Sequence, residues 1–116
     1  MQKLTTYYKL VRDEIPKIIA KEGKTVRYTT LHGDALKEAL KVKLLEEVQE
    51  FIKAETREQQ IEELADIFTV IDGIKCEFNI GQTIINNTID EKAHEKGWFY
   101  DGCFLIAVEE DEDDQN

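Results

Sequence analysis

Two stretches of the chain place apolar side chains every three or four residues, and that period commits both to helix. Leu36, Leu40, Leu44, Val48, Phe51 and Ile52 trace one arc of a first long helix, read from a cap at Asp34 to about Ala54. Ile61, Leu64, Ile67, Phe68, Ile71, Ile74 and Phe78 trace a broader arc on a second, read over roughly Glu58 to Phe78. That second helix is apolar over more than half its circumference, so it is expected to pack centrally and to need cover on several sides. The intervening ETREQQ reads as a turn, which predicts two antiparallel neighbours.

The remaining segments are shorter. Asp13 reads as the N-cap of a brief helix through Ile18, Ile19 and Ala20 that stops at Gly23. Thr25 to Leu31 is β-branched and aromatic, which predicts a short extended segment. Gly81 breaks the chain before a third long helix ending near Lys96, and the Asp101-Gly102 turn predicts a small hairpin over residues 98–106. The expected fold class is therefore all-α, with short β trimmings near residues 25–31 and 98–106.

With a single proline, Pro16, and scattered glycines, nothing marks an internal linker, so residues 1–108 read as one domain. Residues 109–116, EEDEDDQN, read as an acidic disordered tail. The 116 residues hold 25 acidic against 15 basic side chains, a net charge of −10 that argues against binding nucleic acid backbones. No apolar run is long enough for a membrane span or a signal peptide. Cys76 and Cys103 have neither metal-ligand spacing nor the density of a disulfide framework, so a cytoplasmic setting is expected.

Some carboxylates lie where a purely structural helix would not put them. Glu47 falls inside the apolar arc of the first long helix, with Glu50 on its edge and Glu46 just outside. On the second, Glu63 falls between the directions of Val70 and Ile74, and Asp66 lies on the flank beyond Val70. Each helix thus carries an acidic pair at i,i+3, a spacing that shares one face. Antiparallel packing would let Glu47, Glu50, Glu63 and Asp66 converge. At about 4 Å and an effective dielectric near 20, each close pair costs on the order of 4 kcal/mol. Either the pKa values rise or a divalent cation fills the gap, and oxygen-only ligands favour Mg²⁺ or Mn²⁺.

The residues also resemble a known family. EEVQE (46–50), twelve residues and then ELAD (63–66) is similar to the EExxE…ExxD signature of MazG-like all-α nucleoside triphosphate pyrophosphohydrolases. YYKLVRDEIPKII (7–19) and EKAHEKGWF (91–99) resemble the phosphoribosyl-ATP pyrophosphohydrolase-like branch. The likeness implies a helical bundle completed by oligomerisation into a homodimer or homotetramer. It also implies Mg²⁺-dependent cleavage of a nucleotide substrate between its α and β phosphates. Carried over residue by residue, it assigns metal ligation to Glu47, Glu50, Glu63 and Asp66, makes Glu46, Glu47 and Glu50 the catalytic candidates, and sets Glu46 beside the site, where it could position or deprotonate the attacking water or stand as a solvated neighbour. Lys92 and Lys96, an i,i+4 pair, match its basic phosphate-contacting positions, and Lys9 and Arg12 are further phosphate or sugar candidates. Arg12 could instead pair with a carboxylate such as Asp13 or Glu14. Trp98, Phe99 and Tyr100 fit either base stacking or packing.

Three departures bear on the substrate. Trp98 stands where the branch has a second glycine, Lys96 where it has arginine, and Asp90 where many relatives carry asparagine. Lysine forfeits the bidentate fork that arginine offers phosphate. An NTP, a dNTP or a related nucleotide such as phosphoribosyl-ATP all remain compatible. The competing reading is a non-catalytic helical oligomer that senses nucleotides or binds a protein through its acidic tail.

Overall fold

The computed structural model describes residues 3–112 and contains four helices. They are α1 (Ile15–Lys21), α2 (Gly33–Lys53), α3 (Arg57–Glu77) and α4 (Gln82–Lys96). The chain divides into two compact units, the first running to Gln82 and the second starting at Thr83. No helix among the described residues is long and apolar enough to cross a membrane.

In the first unit, α1 starts one residue later than Asp13 would set it. Glu14 occupies the N-cap position without a side-chain hydrogen bond, and buried Pro16 lies in the first turn, where a missing N–H costs nothing. Likewise α2 starts after His32, leaving Asp34 in the first turn, where its charge suits the exposed N–H groups. The α3 start is locally encoded. Thr56 Oγ1 accepts from the Gln59 N–H at 3.1 Å while Gln59 Oε1 accepts from the Thr56 N–H at 3.4 Å, a reciprocal capping box. ETREQQ is therefore mostly helix, and the turn shrinks to residues 54–56. At the other end Asn79 adopts φ +55°, and Ile80 N–H reaches back to the Lys75 carbonyl at 2.9 Å. That left-handed stop satisfies carbonyls the helix leaves open.

The short link makes α2 and α3 an antiparallel pair, and they are the two helices that pack extensively on each other. Their register is fixed at two levels. A Cβ built on Gly73 would lie 3.1 Å from Leu40 Cδ2, so the backbones approach closely there. Two turns along, Glu47 of α2 meets Glu63 and Asp66 of α3. Leu40 and Glu47 are the buried side chains of α2. On the same hairpin, Leu45, Val48 and Ile52 of α2 and Ile61, Leu64 and Phe68 of α3 stay exposed.

The second unit carries the rest of α4, with Ile85 and Ala93 as its half-buried positions. After α4 the Trp98 and Tyr100 rings stack at 6.0 Å between centroids. A turn follows in which Gly102 N–H donates to the Phe99 carbonyl at 3.4 Å.

The expected β trimmings near 25–31 and 98–106 are not present: no strand occurs among the described residues. β-branched composition favours extended backbone, but a strand exists only when a partner supplies ladder hydrogen bonds, and a lone hairpin is marginal in water. The all-α class stands without them. Of the acidic tail, residues 109–112 are exposed, and residues 113–116 lie outside the described residues.

Candidate metal centre

The α2–α3 register brings carboxylate oxygens of Glu47, Glu63 and Asp66 within 4.8 Å of one another. Glu47 is buried, while Glu63 and Asp66 are half-buried. Glu50, one turn beyond Glu47, is exposed and does not join that triad. It lines, with Glu63, a cleft of about 250 Å³ that also includes Lys53, Ala54, Gln59 and Glu62. Three of the four ligands read from the arcs thus converge, and the fourth faces the adjoining cleft. The reason is angular: Glu50 sits on the edge of the arc that faces α3, and Glu47 sits within it.

Cationic side chains partly balance the triad. Arg12 Nη2 donates to Asp66 Oδ1 at 2.7 Å. Lys43 Nζ lies 3.4 Å from Glu47 and 3.3 Å from Glu46, and Lys9 Nζ lies 3.8 Å from Glu46. Arg12 therefore pairs with a carboxylate, but with Asp66 across the fold and not with its neighbours Asp13 or Glu14. Lys43 was not among the residues read from sequence, although its i,i+4 spacing to Glu47 is the signal that finds it. Lys92 and Lys96 belong to the second unit, exposed on α4.

The balance is incomplete. Glu46, Glu47, Glu50, Glu63 and Asp66 are five carboxylates against three cations, Lys9, Arg12 and Lys43. Ionised throughout, they leave a deficit of two charges. The strain concentrates on Glu63. Desolvation, hydrogen bonding with Glu47 and the negative charges of Glu47, Asp66 and Glu50 all raise its pKa above the ordinary carboxylate range. Its Oε2 is buried with no hydrogen-bond partner. A buried acceptor of that kind is costly unless something positive meets it. A divalent cation fits all three facts: it supplies two charges, ligates the orphaned oxygen and accepts an all-oxygen donor set. Such a set suits a hard ion and not zinc.

No protein-family model, curated protein or solved structure matches this chain.

Proposed function

We propose that the chain is a Mg²⁺-dependent nucleotide pyrophosphohydrolase of the MazG-like type, able to use Mn²⁺. It cleaves the α–β phosphoanhydride of an NTP, a dNTP or a related nucleotide, phosphoribosyl-ATP among them, to a monophosphate and pyrophosphate. The observation that carries this reading is the orphaned Glu63 Oε2 inside a triad of carboxylates short of two positive charges. The order and spacing of the three sequence blocks support it.

Glu47, Glu63 and Asp66 hold the ion in this reading, with Glu50 completing the ligand set from the cleft side. When bound, the ion neutralises phosphate charge and acidifies water, the two needs of phosphoanhydride hydrolysis. An acidic cluster cannot meet a polyanion by itself, so the chain's own cations must face the phosphates. Arg12 and Lys9 already stand at the rim of the cluster, on Asp66 and Glu46. Lys92 and Lys96 are assigned to the outer phosphates by the resemblance alone. Glu46, half-buried between Lys9 and Lys43, is the candidate to orient or deprotonate the attacking water. The working form is a homodimer or homotetramer in the cytoplasm.

Pyrophosphate release from a nucleotide panel that includes phosphoribosyl-ATP, measured with Mg²⁺, Mn²⁺ or EDTA, tests this. Turnover should require the metal, and Glu47→Gln and Asp66→Asn should each abolish most of it while helical circular dichroism persists. Activity that survives EDTA defeats the metal mechanism. Nucleotide binding without turnover across the whole panel favours the non-catalytic sensor instead.

A further inference from the structure

The segment before α1 brings an aromatic ring to the acidic cluster. Lys9 Nζ lies 3.8 Å from Glu46 Oε1 and 5.7 Å from the Tyr7 ring centroid. Glu46 in turn shares Lys43 with Glu47, at 3.3 and 3.4 Å. A single ammonium group therefore stands between the Tyr7 ring and the carboxylates of the cluster. All of these residues belong to the first unit. Trp98, Phe99 and Tyr100, the rings that the sequence offers for stacking, belong to the second.

Packing within the chain does not account for this arrangement. Tyr7 is 70% exposed, so its ring buries little against the fold. Tyr8, between Tyr7 and Lys9, adopts φ +46°, a left-handed conformation that is strained for a bulky residue. Its own ring is 97% exposed, so no burial of Tyr8 offsets the strain. What the kink accompanies is the pair of contacts beside it, Tyr7 with Lys9 and Lys9 with Glu46. Strained backbone of that kind gathers at ligand-binding sites, where its surroundings hold it in place.

A nucleotide has the matching layout. One sugar separates its flat base from its phosphates, as one ammonium group separates the ring from the acidic cluster. A cation over an exposed ring is held weakly, and the Lys9 side chain is 43% exposed, so it can leave Tyr7 for a phosphate oxygen at little cost. That move opens the ring face as the phosphates arrive.

We propose that Tyr7 is the stacking platform for the substrate's nucleobase, and that Lys9 moves from its ring to the phosphates when nucleotide binds. The inference rests on the hydrolytic reading for the place of the phosphates and adds the place of the base. Stacking grips any base by its face, so this subsite separates nucleotides from base-free polyphosphates and not one base from another.

Isothermal titration with α,β-methylene-ATP and Mg²⁺ reads binding apart from turnover, because the α–β link of this analogue resists hydrolysis. Inorganic tripolyphosphate with Mg²⁺ is the base-free probe. Tyr7→Leu should weaken the analogue about tenfold or more while leaving tripolyphosphate within about twofold of wild type. Tyr7→Phe, which keeps the π-face, should bind both probes within about twofold of wild type. Since Tyr7 is exposed, the helical circular dichroism of both variants should match wild type. Equal losses for the two probes in Tyr7→Leu, or no loss for either, overturn the platform and leave the hydrolytic reading standing on wild-type turnover. A loss in Tyr7→Phe as large as in Tyr7→Leu assigns the effect to the hydroxyl and overturns it too. Wild-type protein that binds neither probe overturns both readings.

Discussion

Arg12→Gln separates two roles that a single guanidinium could play at the acidic cluster. Its Nη2 lies 2.7 Å from Asp66 Oδ1, with the two side chains 58% and 36% exposed. A pair that open to solvent is well screened, so its loss should cost folding only about 0.2–1 kcal/mol. The effect on an incoming ion is larger. A unit charge about 4 Å away in water-like dielectric contributes about 1 kcal/mol per charge, or about 2 kcal/mol against a divalent cation. After allowance for screening, nucleotide-free Arg12→Gln should bind Mn²⁺ roughly tenfold more tightly than wild type. Isothermal titration at low ionic strength reads this directly, and the gain should shrink at high salt. If the arginine then swings to the substrate, the same variant should show a raised KM. Mn²⁺ affinity that is unchanged or weaker in folded Arg12→Gln would refute the competition.

Gly73→Leu should destabilise the chain by about 1–3 kcal/mol, because even a Cβ lies 3.1 Å from Leu40 Cδ2; a lowered urea midpoint at constant slope checks it. Thr56→Ala should remove about 1 kcal/mol with the α3 capping box, a drop of about 4–8 °C in Tm. The raised pKa of Glu63 fixes a sign with pH. Between the ordinary carboxylate value and the raised one, the folded chain keeps a proton that the unfolded chain has released. Ion-free stability therefore falls as pH rises through that window. Thermal melts in EDTA should show wild type losing ground to Glu63→Gln as pH rises, and Mg²⁺ should restore it. Parallel pH profiles for the two proteins would contradict that account.

The four helices were legible because a helix announces itself locally, through its period and its ends. Even the shortened α2–α3 link was present in the sequence: Thr56 and Gln59 stand at the spacing of a capping box, a stronger signal than the polarity of ETREQQ. The β segments were not legible, since a strand depends on a distant partner and residues 25–31 and 98–106 find none. The site divides the same way. Glu47, Glu63 and Asp66 showed through as acids on apolar faces. The edge position of Glu50 was visible, but its side of the hairpin was not. Arg12 reaches Asp66 across 54 residues, and no local rule encodes such a pairing.

Leu40 against Gly73 and Glu47 against Asp66 are two rungs of one ladder, two helical turns apart. The lower rung has no room for a side chain at position 73, where even a Cβ would lie 3.1 Å from Leu40 Cδ2. The gap between α2 and α3 is thereby set at one point and inherited at the other. Ions of different radius need different gaps. If the triad holds the proposed ion, a residue that never touches it would help select among cations: enlarging position 73 would pry the rungs apart and favour a broader ion such as Ca²⁺ over Mg²⁺.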